Sequence, residues 1–591
     1  MASPWNSVLN TNYAPTDDEA IQIRAFCEKP QQKVWEIDRE IQQLRERLND
    51  LLHERGALVE MLEHHKALVS PVRRLSPEML QQIFFCCLPV DRNPAVHPSE
   101  APLLLGRICR LWREIANSTP RLWSAIHIVI PSKENASLAS ARYDALRTWL
   151  GRSGATPLHI SLRAHLPTED ILPFPFADYI VGFSTRWSSV TLALPMAVIL
   201  RLCSNVNGSV PILDTVRFDC VDMSPPRFIP NIDGLSEPDT TNDTYVISQF
   251  VLRNPSIRHY SLTQQSRQEG HWQLICQCDP IAQLFLCQES PSSLKLETLT
   301  LSLPLDIMFT GLQPILDLLS ALPHLKRCSL RCCVERGASE IPLRPTPVAL
   351  HALEELSLGI TMRNSWGDES YLLPNLFANL LLPRITNMRI LSGITSDPTR
   401  AFTSFTQLLI RSSASLQRLS VQIPDESDVF LTLIPVLEAS PELRELTVRE
   451  LNRWGNLPSQ GQNLGLGNQV LQVLSTLSAS TSLLCPQLDK LSLFVLSDSY
   501  PTDPFLTSFF MVRRLSPAQC NLLASFCVRC IDSLGHWSDE LMAPIEYKLT
   551  NEVESMVNEL KQNGMTIEMS KPIMKWINPS GPYLGLETPD D

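Results

Sequence analysis

Four residues near the C-terminal end are the best candidates for metal chemistry. Cys520, Cys527 and Cys530 are followed by His536, and thiolate and imidazole are the usual ligands of zinc. A structural zinc site normally needs a second closely spaced ligand pair, and no such pair follows. Cys520 and Cys527 also flank a helix-like apolar run, in which buried cysteines act as small hydrophobic residues. We therefore expect no metal site and no cofactor.

Other chemical motifs are also missing. The glycines of residues 461–467 lack the lysine and helix of a phosphate-binding loop. His64 and His65 are adjacent on a predicted helix, so their side chains point in different directions and chelate poorly. No Gly-x-Ser-x-Gly nucleophile motif and no His-Glu-x-x-His zinc motif occurs. The sequence predicts a protein that is not an enzyme.

Composition narrows the class of protein further. The 591 residues carry 50 basic and 62 acidic side chains, a formal net charge of −12, which argues against nucleic-acid binding. Hydrophobic residues make up 44%, which is typical of a globular chain. We find no apolar run long enough for a membrane span and no secretory signal, so we expect a cytoplasmic or nuclear protein without a membrane partner.

An apolar stripe begins after a flexible lead-in at residues 1–30. Its spacing alternates between three and four residues for about four heptads, which is typical of a coiled coil over residues 31–69. Arg55 occupies one position of the stripe, and Gly56 weakens the helix. Two interpretations remain open, namely folding back onto the same chain and formation of a homodimer. The stripe comprises Val34, Ile37, Ile41, Leu44, Leu48, Leu51, Leu58 and Leu62.

Two helices are predicted in residues 70–125. Ser76 is a good N-cap, Pro77 suits the first helical turn, and Pro89 ends the apolar pattern that follows. After a polar loop at residues 91–100, a second apolar helix is predicted for residues 102–116. A module this short cannot bury all of its apolar side chains, and leftover apolar surface usually marks a partner site.

This order of motifs resembles the F-box family. Leu75-x-Pro77-Glu78-x-Leu80 precedes Ile83-Phe84, followed by Ile108-Cys109-x-x-Trp112-Arg113 and then Pro120-x-Leu122-Trp123. With a coiled coil ahead, the arrangement looks most like the large F-box families of mushroom-forming fungi, although the loop before the second helix is longer than in a compact F-box. The resemblance implies a small all-α module that binds the Skp-family adaptor of a cullin–RING ubiquitin ligase. The adaptor-facing residues it implies are Leu75, Pro77, Leu80, Ile83, Phe84, Ile108, Cys109, Trp112, Leu122 and Trp123.

A Leu-x-x-Leu-x-Leu pattern recurs along the remainder of the chain. Most copies lie about 30 residues apart, with amphipathic helical segments between them. This spacing is typical of an α/β leucine-rich-repeat-like solenoid, which we expect over residues 126–578, with a C-terminal cap and a loose tail at 579–591. The copies begin at residues 213, 257, 296, 325, 353, 416, 443 and 488, with degenerate copies at 187 and 385.

Polar residues within each copy are expected on the concave face. This face and the insertions at 224–244 and 452–468 are the candidate surfaces for a target protein. For any single charge, solvation of the surface is the better explanation. The candidate target-binding residues are Arg327, Arg331, Arg389, Arg418, Arg444 and Arg449.

Together these features predict a substrate receptor that joins a ligase adaptor to a target protein of unknown identity. The alternative is an interaction scaffold that uses the coiled coil and the repeats without coupling to a ligase. A small-molecule sensor with a ligand in the repeat arc is a third possibility.

Overall fold

The computed structural model divides the chain into two compact units, residues 1–83 and residues 84–591. The structure describes residues 4–131, 136–164, 173–206, 208–220, 246–247, 249–264, 294–302, 308–309, 312–334, 346–362, 372–392, 398–424, 429–451, 465–475, 484–495, 500–515, 523–530 and 549–570.

The first unit consists mainly of one long helix, α1 (Asp17–Leu68). It begins earlier than the residue-31 boundary expected from the apolar stripe. The side chain of Thr16 accepts a hydrogen bond from the Glu19 backbone, and the Glu19 carboxylate accepts one from the Thr16 backbone. This capping box satisfies free donors of the first turn and fixes the start of the helix. The helix continues through Pro30, and its 52 residues span about 78 Å.

The second unit is built on a large parallel β-sheet. Fourteen of its described strands follow one another in chain order across the sheet, and a fifteenth, the short β7, pairs only with β8. A separate two-stranded sheet pairs β9 with β11. The strands are β1 (Ala125–Ile130), β2 (Leu158–Ala164), β3 (Trp187–Leu194), β4 (Thr215–Cys220), β5 (His259–Gln264), β6 (Thr298–Ser302), β7 (Met308–Phe309), β8 (Arg327–Val334), β9 (Val348–Ala349), β10 (Glu355–Met362), β11 (Leu380–Leu381), β12 (Asn387–Ser392), β13 (Arg418–Pro424), β14 (Glu445–Leu451), β15 (Lys490–Val495), β16 (Ser525–Cys530) and β17 (Thr566–Ser570).

Helices connect many of these strands. A parallel pair of strands needs a crossover connection, and a helix is the usual one. The remaining described α-helices are α2 (Pro77–Cys86), α3 (Leu105–Ile108), α4 (Arg110–Asn117), α5 (Ala136–Arg152), α6 (Pro173–Val181), α7 (Met196–Asn205), α8 (Gln313–Ala321), α9 (Leu372–Ala378), α10 (Pro398–Ser412), α11 (Ile434–Glu438), α12 (Leu466–Ser475), α13 (Asp503–Leu515) and α14 (Asn551–Gln562).

The core of the second unit comes from alternate residues of the strands. In β10, Leu356 and Leu358 are buried, and their neighbours across the sheet are Cys328 and Leu330 of β8. Successive strand residues point to opposite faces, so this register stacks apolar side chains into continuous rows. The repeated Leu-x-Leu of the sequence is the source of these rows.

The predicted strands are confirmed at all ten copies of the repeated pattern, since each overlaps one of the strands from β3 to β15. The prediction of mixed α and β structure is therefore confirmed. The helix-like interpretation is wrong for residues 525–527, because Cys527 lies in β16 and pairs with Glu568 of β17. Residues 520–522 of that segment lie outside the described residues. Apolar runs this short fit a strand as well as a helix, and here pairing with a neighbouring strand decides.

Candidate functional site: two exposed surfaces of the second unit

Two of the four candidate metal ligands, Cys527 and Cys530, belong to the described part of the chain. Cys527 is half-buried on β16, where its thiol lies 4.0 Å from the Glu568 carboxylate. Burial is the main cause that raises the pKa of this thiol. Cys520 and His536 lie outside the described residues, as do residues 461–464 of the glycine-rich stretch. Within the described ranges, no three His, Cys, Asp or Glu side chains are placed to hold a metal ion.

The predicted second helix is two short helices. The backbone is extended at Cys109, which ends α3 and begins α4, and the Cys109 sulfur accepts a hydrogen bond from the Trp112 amide. The Arg113 guanidinium donates back to the Gly106 carbonyl at 2.6 Å and ties α4 to α3. The break at Cys109 changes which side chains of residues 102–116 lie at the surface.

An aromatic layer supports these helices from within the unit. The rings of Phe84 and Trp112 lie 4.9 Å apart, and the guanidinium of Arg121 lies 4.8 Å from the ring centre of Phe85. Phe84 is fully buried, whereas Trp112 is only partly covered. The side chains on the outer surface of α3 and α4 therefore sit on a packed base.

Trp123 belongs to the core. It is 2% exposed, its ring meets Trp149 edge to face at 4.9 Å, and its indole N–H donates to the Ala116 carbonyl at 2.8 Å. Leu122 beside it is also buried. These two residues were expected to face an adaptor, and in this structure they offer no free surface. The Pro-x-Leu-Trp motif instead fixes α4 against the start of the sheet.

Exposed aliphatic side chains lie on α3, α4 and the segments beside them. Ile108 is 56% exposed and Leu111 is 49% exposed, and Leu104 and Val90 are exposed as well. We call Leu104, Ile108 and Leu111 the aliphatic patch. Only Ile108 was among the expected site residues. Leu104 and Leu111 were missed because a helix pattern alone does not show which apolar face is left uncovered.

The ten expected adaptor-facing residues fall into three groups, by burial in the whole chain. The exposed ones are Pro77, Ile83, Ile108 and Cys109; the partly exposed ones are Leu75 and Trp112; the buried ones are Leu80, Phe84, Leu122 and Trp123.

The polar loop of residues 91–100 covers one edge of the sheet. The Asn93 side chain donates to the carbonyls of Ile126 and His159, and Ala95 bridges to His127 of β1. Arg92 and Glu100 form a two-point ion pair that closes the loop. Edge strands need such cover, because unpaired backbone groups attract other strands. The added length of this loop thus has a structural role.

The second candidate surface is the polar face of the sheet, on the side opposite the buried rows. Strand register places Arg327 beside Glu355, and Arg418 beside both Asn387 and Glu445. Arg389 lies 3.9 Å from the Glu355 carboxylate. Five of the six expected arginines therefore lie on strands of this face, and Arg444 immediately precedes β14. The five are Arg327, Arg331, Arg389, Arg418 and Arg449.

A row of opposite charges runs along the start of several strands, and the sequence analysis did not anticipate it. Arg258 contacts Asp214 at 2.5 Å, and Lys326 contacts Glu297 at 2.8 Å. The hydrogen bond from Lys326 is the main cause that lowers the pKa of the Glu297 carboxyl. Residues far apart in sequence become neighbours here because each strand begins at the same level of the sheet.

One arginine on the polar face is combined with an aromatic ring. The Arg449 guanidinium lies 4.2 Å from the ring centre of Phe494 on the next strand, and both side chains are half-buried. On the far side of Phe494, Arg529 pairs with Glu568 at 3.3 Å. Arginine and aromatic side chains are frequent anchors in protein interfaces.

A scan against models of known protein families finds no match for this chain, and a search of the curated proteins finds none either. Among the described helices, none is both long and apolar enough to cross a membrane. The expected insertion at 224–244, residues 452–464 of the insertion expected at 452–468, and the tail at 579–591 lie outside the described residues. Residues 466–468 of the second insertion begin helix α12.

Proposed function

We propose that this protein is a non-catalytic substrate receptor of a cullin–RING ubiquitin ligase. The aliphatic patch binds a Skp-family adaptor, and the polar face of the sheet binds a target protein. The observation that carries the proposal is the exposure of Ile108 and Leu111 on helices that are held by a packed aromatic layer.

The patch has the properties of a docking surface. Its exposed aliphatic side chains lie on or beside two short helices that the hydrogen bond from Arg113 to the Gly106 carbonyl ties together, and exposed apolar groups on such a surface usually mark a partner site. The aromatic layer beneath these side chains is already packed, so binding would require little further loss of side-chain conformational entropy. The F-box resemblance supplies the identity of the partner, and it includes Ile108 among the adaptor-facing residues.

The sheet supports the repeat part of the proposal. The path from β1 to β17 follows chain order, and every pair along it is parallel. We propose that this array is a leucine-rich-repeat-like solenoid, in which each strand adds one row of the polar face. Solenoids use such faces as extended binding surfaces. The arginines from Arg327 to Arg449 would contact the target.

The chemical contribution of such a receptor is proximity. A target held on the polar face is tethered to the ligase, so the effective concentration of its lysines near the catalytic subunits rises.

Co-purification of the adaptor tests the proposal. We expect wild-type protein to retain the adaptor and Ile108→Asp/Leu111→Asp to lose it, because two charges would be buried against apolar partner surface. Both side chains are exposed in the free chain, so the fold should survive. The matched control is Ile410→Asp, which changes an isoleucine that is 67% exposed on α10.

Two outcomes would overturn the assignment. One is failure of the wild-type chain to bind the adaptor, and the other is equal retention by the double variant and Ile410→Asp. In either case the alternative function, an interaction scaffold without ligase coupling, would be preferred. Proximity labelling with the proteasome blocked would then identify the proteins that lie near this chain.

A further inference from the structure

Helix α1 carries an apolar stripe that the first unit leaves uncovered. The eight side chains of the stripe, from Val34 to Leu62, are each 41–63% exposed. Every described side chain between residues 27 and 66 is exposed. A long helix in water gains most of its stability from packing of its apolar face. We therefore expect a partner helix to cover this stripe.

The residue types along the stripe indicate what kind of partner fits. With Val34 at heptad position a, the a positions carry Val34, Ile41, Leu48 and Leu62, and the d positions carry Ile37, Leu44, Leu51 and Leu58. In the first two heptads the a positions are β-branched, and leucine fills d from Leu44 onward. β-Branched residues at a with leucine at d favour parallel two-stranded coiled coils.

The charges beside the stripe fit a second copy of the same helix. In a parallel, in-register pair, each g residue faces the e residue five positions later on the other helix. These positions place Lys33 opposite Asp38 and Glu40 opposite Arg45, and both pairs are attractive. The remaining g–e pairs along the stripe are Arg47 with Leu52, Glu54 with Val59, and Met61 with Lys66. None of them sets like charges against each other.

The polar residue in the stripe also fits this arrangement. Arg55 is at an a position, where each copy would meet the same residue of the other copy. The neighbouring g residue is Glu54, which in a parallel pair flanks the a position of the opposite helix. A charged residue at one a position lowers stability and fixes the register of the two strands.

We propose that residues 34–62 form a parallel, in-register, two-stranded coiled coil with a second copy of this chain. The proposal stands independently of the ligase assignment, because it rests only on α1. In the dimer, every surface of the second unit is present twice, so a partner with two matching sites binds with avidity.

The molar mass of the full chain in solution tests dimer formation. We expect wild type to have twice the mass of one chain, and Ile41→Asp/Leu48→Asp to show a twofold lower mass, as measured by light scattering after size exclusion. The control is Trp35→Asp, which alters an exposed side chain at heptad position b, outside the stripe. Trp35→Asp should remain a dimer. A monomeric wild type, or an unchanged mass for the double variant, would refute the proposal.

Charge reversal tests the parallel orientation. Lys33→Glu/Glu40→Lys creates like-charge pairs within a homodimer, and Asp38→Lys/Arg45→Glu does the same from the other side. Each variant alone should dimerise more weakly than wild type. An equimolar mixture should restore the dimer, because every 33–38 and 40–45 pair between the two variants is attractive again. A mixture that remains as weak as the separate variants would exclude the parallel register, even if wild type is a dimer.

Discussion

Replacing Trp123 by alanine separates a core role from a docking role within residues 70–125. Trp123 is buried between Trp149, the Ala116 carbonyl and the guanidinium of Arg152, which lies 4.5 Å from its ring centre. Ile108 lies fifteen positions earlier and is more than half exposed. We therefore expect Trp123→Ala to destabilise the fold, and Ile108→Asp to leave the free energy of unfolding almost unchanged.

The magnitude follows from the contacts that are lost. Removal of a buried tryptophan side chain typically costs about 3–5 kcal/mol, since both burial and packing are lost around a cavity. The hydrogen bond to the Ala116 carbonyl accounts for about 1 kcal/mol of this. The edge-to-face contact with Trp149 adds a similar amount. Trp123→Phe keeps most of the ring volume and should lose about half as much.

Amide hydrogen exchange is the most direct assay, because a large unit can open locally. Trp123→Ala should accelerate exchange in β1, whose Ala125 carbonyl accepts the indole N–H of Trp149. Urea unfolding, monitored by far-ultraviolet circular dichroism, gives the change in the global free energy of unfolding. Unchanged exchange in β1 together with loss of adaptor binding would refute the reasoning, because Trp123 would then act at the surface and not in the core.

Three further changes test other parts of the structure. Gly56→Ala should stabilise α1 by about 1 kcal/mol, because alanine favours the helix and its Cβ at this exposed position meets no atom within 4 Å. We expect slower amide hydrogen exchange around residue 56. An unchanged exchange rate would contradict this prediction. Asn254→Ala should lower the free energy of unfolding, measured in urea, by about 2 kcal/mol, because the buried Val210 amide and Phe250 carbonyl lose their hydrogen-bond partner. An unchanged free energy of unfolding would show that other groups satisfy this amide and this carbonyl. Burial raises the pKa of Cys220, Cys328 and Cys485 to about 12, so alkylation at pH 8 should modify the exposed Cys27, Cys86, Cys87 and Cys109 and spare these three until the chain unfolds. In the unfolded chain the same three thiols would ionise near pH 8.5, so the free energy of unfolding should fall as the pH rises above that value. Equal labelling of all seven cysteines in the native protein would disprove the burial of Cys220, Cys328 and Cys485.

Much of the sheet could be predicted because its pattern is local. Leu356 and Leu358 stand at the two-residue spacing that places apolar groups on one face of a strand, and the structure has β10 there. The strands β1 and β2 were not predicted. β1 is apolar at nearly every position and β2 alternates apolar and polar residues, and neither carries the repeated leucine pattern. Strand β16 was mistaken for helix for a similar reason, since six residues show no decisive period.

The candidate docking surface could be located only to within a segment. The order of motifs predicted a binding module in residues 70–125, but it treated Trp123 and Ile108 alike. The break at Cys109 exposes one and the contact with Trp149 buries the other. The loop at 91–100 was recognised as long, while its role in covering β1 depends on hydrogen bonds to Ile126 and His159.

The sequence by itself determined the apolar stripe of α1, the ten copies that form strands and the helices between several of them, because heptad and strand spacing express local backbone geometry. Only the tertiary structure decided which apolar side chains remain exposed to solvent and which charged side chains on neighbouring strands form ion pairs. Burial and pairing depend on residues that are distant in the chain, such as Arg258 and Asp214, and no local period records their contact.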